Sequence, residues 1–124
     1  DGYQPMPAIL EKARKIAAQN GCAIEVTTQA SVAVEGASIV YTDVWASMGF
    51  EAEAEQRRAQ MQPFQVSSTL MAKARPDAIV LHCLPAHRGE EIAHDVIEQH
   101  AEVIFSQAEN RMHAQKALLA MVVE

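Results

Sequence analysis

The sequence predicts an α/β fold in which a parallel sheet is flanked by helices. Short β-prone runs alternate with helical segments, and strands separated by helices pair in parallel through right-handed crossovers. One run, AIVLHC at residues 78–83, is almost wholly apolar, as in strands that are covered on both faces. Apolar residues make up 49% of the 124 residues and charged residues 21%, which is ordinary for a globular domain.

Each predicted element has a local signal. Residues 6–19 place apolar side chains on one helical face, and Asn20-Gly21 is typical of a helix end. Strands are predicted where apolar and β-branched residues cluster, at residues 22–27, 37–43, 78–83 and 103–107. Helices are predicted between and after them, at residues 31–36, 51–62, 67–74, 90–100 and 108–123.

The charge and the hydropathy pattern exclude several function classes. The net charge is −6 and the isoelectric point is near 5.3, so a general phosphate-backbone binder is disfavoured and no nucleic-acid partner is expected. No apolar run approaches the ~20 residues of a membrane helix, so no membrane partner is expected. The opening DGYQP is typical of a turn entered from an upstream segment, which predicts a piece of a longer protein.

The two cysteines predict free thiols. Cys22 and Cys83 are far apart in sequence and form no CxxC motif, which favours a reduced, intracellular setting. Cys22 would start its strand and Cys83 would end its own. In a parallel sheet the two would then lie at opposite edges, too far apart to bridge.

Three segments follow predicted strands and are rich in reactive groups. They are residues 43–49 (DVWASMG), 83–91 (CLPAHRGEE) and 108–113 (AENRMH). Parallel α/β sheets bind ligands outside the carboxyl ends of their strands, so we expect all three segments to open onto one edge.

The first of these segments combines a carboxylate with a hydroxyl. Asp43 suits an ammonium group, and Ser47 with free backbone N–H groups suits a carboxylate, so together they would fit the two ends of an amino acid. The alternative is that Asp43 and Ser47 only cap the following helix. The residue types leave both readings open.

The second segment, together with His82 directly before it, holds a thiol and two imidazoles. His82, Cys83 and His87 raise a zinc hypothesis, but they lack the paired spacing of a structural zinc site. Cys83 also reads as an inert residue at the end of a buried strand. Because Pro85 limits internal pairing of the turn, the Leu84 carbonyl is a candidate acceptor for a ligand.

The third segment places Arg111 near the start of the predicted last helix. There it could polarise a carbonyl group or hold an anion. A solvated surface arginine is the simpler alternative.

Taken together, three segments resemble ornithine carbamoyltransferase. They are YTDVWASMG at residues 41–49, HCLPAHRGEE at 82–91 and ENRMHAQK at 109–116. The related aspartate carbamoyltransferases typically have proline where Cys83 stands and lack the Ser-Met-Gly element, so the resemblance favours ornithine.

The resemblance implies transfer of a carbamoyl group from carbamoyl phosphate to the δ-amine of L-ornithine, giving L-citrulline and phosphate. It implies that Asp43, Ser47 and Met48 bind the α-amino and α-carboxylate end of ornithine. It places Cys83 and Leu84 beside the δ-amine, where the thiol is no covalent nucleophile, and it places Arg111 at the carbamoyl oxygen. Neither a metal ion nor an organic cofactor is implied.

The resemblance also implies an incomplete domain. Residues 1–124 would be part of the Rossmann-like C-terminal, ornithine-binding domain of the aspartate/ornithine carbamoyltransferase fold, without the N-terminal domain that binds carbamoyl phosphate. The full-length enzyme would be a homotrimer, cytoplasmic or in the mitochondrial matrix, and the fragment alone would be inactive and poorly stable. A non-catalytic amino-acid-binding or assembly module is the alternative.

Overall fold

The computed structural model of the chain describes residues 2–46 and 53–123. Six α-helices and two strands are present in these two ranges. The helices are α1 (Pro7–Gln19), α2 (Ala30–Ala33), α3 (Ala54–Met61), α4 (Ser68–Met71), α5 (His94–Gln99) and α6 (Ala101–Val122). The strands are β1 (Ile39–Thr42) and β2 (Ile79–His82), and a short 3₁₀ helix, Gln62–Phe64, follows α3.

The two strands pair in parallel, as the sequence predicts. The register aligns Ile39 with Ile79 and Thr42 with His82, so both strands end at the same edge. The segments that follow them, which begin at Asp43 and Cys83, therefore leave the sheet side by side. The α/β class and the parallel pairing are confirmed.

The strand predicted at residues 22–27 was wrong. The segment carries no regular secondary structure, and its apolar side chains Ile24 and Val26 are exposed. A strand exists only where a neighbouring strand accepts its backbone hydrogen bonds, and no such neighbour lies beside this segment in the described ranges. Local β-propensity alone does not supply that partner.

The strand predicted at residues 103–107 was also wrong, because these residues belong to α6. Ile104 is fully buried on the side of α6 that faces the core, and α6 packs against β2. The run VIF is too short to distinguish a strand from a buried helical turn. The predicted helix at residues 108–123 is therefore the continuation of one helix that begins at Ala101.

The core lies between β2, α5 and α6. It is formed by buried aliphatic side chains, namely Val66, Val80, Ile92, Val96, Ile97 and Ile104. Backbone hydrogen bonds from Val66 to the Glu91 carbonyl and from Ala93 to the Val66 carbonyl hold the segment after β2 against this core. The carboxyl end of β2 is thereby held on one side by the core and on the other by β1.

None of the helices in residues 2–46 and 53–123 combines the length and the apolar character that crossing a bilayer requires.

Candidate functional site

The ends of the two strands meet through Asp43 and Cys83. The Cys83 thiol donates a hydrogen bond to Oδ1 of Asp43 at 3.1 Å, across 40 residues of sequence. The same carboxylate oxygen accepts the backbone N–H of Val44 at 2.7 Å. A carboxylate and a thiol that were predicted from two separate strand ends therefore lie in one site.

This contact favours the protonated form of the Cys83 thiol. The hydrogen bond to Asp43, partial burial and the negative charge of Asp43 all raise the pKa of Cys83, and a backbone hydrogen bond of Cys83 and the Tyr41 side chain oppose them to a smaller extent. Because only a thiolate is a good nucleophile, the raised pKa favours a thiol that donates a hydrogen bond over one that attacks a substrate.

The turn after Cys83 is held by a buried histidine and a buried glutamate. Leu84 has a φ of 54°, in the left-handed region, and its N–H donates to Nδ1 of His82 at 2.9 Å. Since Nδ1 accepts, the proton of the His82 ring is on Nε2, which donates to Oε1 of Glu91 at 3.1 Å. His82 and Glu91 are both fully buried. They fix the backbone at Leu84, whose carbonyl oxygen accepts no hydrogen bond within residues 2–46 and 53–123.

Glu91 also fixes the far side of this turn. Its Oε1 accepts the backbone N–H of His87 at 2.7 Å. Glu91 was not predicted as a site residue, because a second glutamate in the run GEE carries no local sign of burial. It becomes recognisable only once the chain folds back onto His82.

Arg111 lies on α6 and not directly after a strand. It is exposed, one helical turn beyond Gln107, and Gln107 contacts the last residue of β2. Residues four apart share a helix face, so Arg111 lies on the same face of α6 as Gln107. The role predicted for Arg111 stays a prediction, and the element that carries this residue is a helix and not the turn after a strand.

Ser47 and Met48 lie outside the described residues, so their predicted places are untested. The residues that flank this gap are anchored by Arg57. Its guanidinium bonds to the Trp45 carbonyl at 3.4 Å and to Glu53 at 3.0 Å, and it stacks on the Tyr3 ring at 5.3 Å. An open cleft of about 720 Å³ lies here, and Asp43 lines it.

The zinc hypothesis for His82, Cys83 and His87 receives no support from the geometry. Both ring nitrogens of His82 have hydrogen-bond partners in the protein, and the Cys83 thiol donates its hydrogen bond to Asp43. Another group, His87 with Glu90 and Glu91, places ligand atoms within 4.8 Å of one another. In that group Glu90 is already paired with Arg58 at 2.9 Å.

The fold is an α/β domain that places a carboxylate and a thiol in contact at the carboxyl edge of a parallel sheet, the edge at which such sheets usually bind ligands. Residues 1–122 match the family described as aspartate/ornithine carbamoyltransferase, Asp/Orn binding domain. The chain belongs to this family.

Individual relatives agree with this assignment. The ornithine carbamoyltransferase of Symbiobacterium thermophilum is 54% identical over 123 residues, which are 99% of this chain and 40% of that protein. The corresponding protein of Thermococcus kodakarensis is 52% identical over 123 residues, covering 99% of this chain and 39% of that protein. The chain thus spans about 40% of the length of the curated relatives that it matches.

Solved structures show the same fold. The anabolic ornithine carbamoyltransferase of Campylobacter jejuni matches with a TM-score of 0.91 and 40% identity, over 98% of this chain and 40% of that one. The ornithine carbamoyltransferase of Pyrococcus furiosus matches with a TM-score of 0.88 and 51% identity, over 98% of this chain and 39% of that one.

Proposed function

We propose that this chain is the ornithine-binding part of a carbamoyltransferase that converts carbamoyl phosphate and L-ornithine to L-citrulline and phosphate. The observation that carries the proposal is the contact between Asp43 and Cys83 at the sheet edge. The similarity to proteins named ornithine carbamoyltransferase supports the same substrate.

The proposed binding mode uses the two ends of ornithine. Asp43 accepts the α-ammonium group, while Ser47 and Met48 bind the α-carboxylate. The Cys83 thiol and the Leu84 carbonyl orient the neutral δ-amine at the other end. The left-handed backbone of Leu84 and its bond to His82 support this role, because they hold the carbonyl away from internal partners.

In the proposed reaction the lone pair of the δ-amine attacks the carbamoyl carbon. A C–N bond forms, the C–O bond to phosphate breaks, and the nitrogen loses a proton as phosphate departs. Arg111 stabilises the negative charge that develops on the carbamoyl oxygen. Holding both substrates together supplies much of the remaining acceleration.

The proposal requires a second segment that binds carbamoyl phosphate. It is supported by the share of the relatives that this chain covers and by exposed apolar side chains on α6, namely Phe105, Met112, Leu118, Leu119, Met121 and Val122. Such a surface is typical of an interface. We propose that the full-length enzyme is a cytoplasmic homotrimer whose carbamoyl-phosphate domain contacts α6, and light scattering of the purified enzyme tests the trimer.

An assay of carbamoyl transfer by the full-length enzyme tests the proposal. With carbamoyl phosphate present, we expect citrulline from L-ornithine, and at most trace product from L-aspartate or N-acetyl-L-ornithine. The isolated 124-residue chain should form none. Ornithine binding without turnover would instead identify a non-catalytic amino-acid-binding module.

Replacing Arg111 with methionine tests its proposed role. Removal of one group that stabilises transition-state charge lowers kcat by about 100-fold. The KM for ornithine should change little, because Arg111 faces the other substrate. An Arg111→Met enzyme with unchanged kcat would remove Arg111 from the site.

A further inference from the structure

Gln107 joins α6 to both strands of the sheet through the two ends of its side-chain amide. Its Oε1 accepts the backbone N–H of His82 at 2.9 Å. Its Nε2 donates to the Tyr41 hydroxyl at 3.1 Å. A backbone N–H can only donate, so the amide oxygen must face His82 and the NH₂ group must face Tyr41.

The two partners of Gln107 lie at the ends of the strands that lead into the site. His82 is the last residue of β2 and directly precedes Cys83, so its backbone sets the direction in which the site segment leaves the sheet. Tyr41 is aligned with Leu81 on the neighbouring strand and lies two residues before Asp43, which accepts the hydrogen bond of the Cys83 thiol. A single side chain on α6 therefore holds both strands next to the contact between Asp43 and Cys83.

Gln107 also satisfies a backbone group on the side of β2 that faces away from β1. β2 pairs with β1 on one side, and within the described ranges no strand pairs with its other side. The His82 N–H would then lack a partner, which is unfavourable for a buried residue, and the Gln107 amide supplies one.

We propose that Gln107 is a positioning residue for carbamoyl transfer, which fixes His82 and Tyr41 and thereby sets the place of Cys83 at the sheet edge. The inference rests on the proposed function. It adds a residue that contacts neither substrate. This residue connects α6 to the strand ends that carry the residues proposed to hold the δ-amine.

Two variants of the full-length enzyme test this role. Gln107→Met keeps the side-chain length and removes both hydrogen bonds, so we expect kcat to fall about tenfold and the ornithine KM to change less than about threefold. Gln107→Glu keeps an oxygen for the His82 N–H and a second oxygen that can accept from the Tyr41 hydroxyl. It should recover most of the lost kcat.

A matched control separates positioning from general stability. Gln99→Met makes the same change at an exposed position at the end of α5, and its kcat should equal that of the unmodified enzyme. If Gln107→Met retains full kcat, or if Gln107→Glu is as impaired as Gln107→Met, the inference is overturned. Absence of citrulline formation by the unmodified enzyme would contradict the proposed function instead.

Discussion

The Asp43→Asn variant of the full-length enzyme is expected to raise the KM for ornithine about 100-fold. Asparagine keeps an oxygen that can accept from the Cys83 thiol, and it removes the charge that is proposed to pair with the α-ammonium group. The substitution therefore isolates the contribution of the Asp43 charge to ornithine binding. Steady-state citrulline formation at varied ornithine concentration measures it.

Asp77→Asn is the control for this variant. Asp77 is exposed just before β2, and its bond to Arg75 lowers its pKa, so it is a paired carboxylate at the opposite edge of the sheet. We expect its ornithine KM to match that of the unmodified enzyme. Equal KM values for the Asp43 and Asp77 variants would remove Asp43 from the ornithine site.

The Glu91→Leu variant is expected to lose about 2–4 kcal/mol of folding free energy, because it leaves hydrogen-bond donors without an acceptor. The ring N–H of the buried His82 and the partly buried backbone N–H of His87 both donate to Oε1 of Glu91. A loss of this size should lower the thermal midpoint of the enzyme by about 10 °C, measured by calorimetry.

The control for Glu91 is an exposed glutamate in an ion pair. Glu98 contacts Arg88 at 2.6 Å on the surface, and such pairs contribute at most about 1 kcal/mol. Glu98→Leu should therefore shift the midpoint far less than Glu91→Leu does. Similar midpoints for the two variants would show that the buried network around His82 does not stabilise the fold.

The fold class could be predicted from the alternation of segments, but two strands could not be placed correctly. The predicted strands at 37–43 and 78–83 correspond to β1 and β2, because each run finds the other as its hydrogen-bonding partner. Residues 22–27 have no such partner in the described ranges. At 103–107, packing of Ile104 against the core selected a helix over local β-propensity.

From the sequence, only those site residues could be predicted whose side-chain type and position after a strand indicate a chemical role. Asp43 and Cys83 were predicted at one sheet edge, and their contact follows from parallel pairing. Glu91 and Gln107 were not predicted, since a glutamate in a predicted helix and a glutamine at the end of a predicted strand carry no local sign of these contacts. Their roles depend on contacts between segments 9 and 25 residues apart.

The central claim is that ornithine occupies the site at Cys83. The most direct test is whether bound ornithine protects the Cys83 thiol from alkylation. The full-length enzyme is treated with iodoacetamide at about pH 9, where the raised pKa of Cys83 still leaves some thiolate, and modification is followed by peptide mass spectrometry. Saturating ornithine should slow alkylation of Cys83 and leave the exposed Cys22 unchanged. The same alkylation rate for Cys83 with and without ornithine would contradict the account.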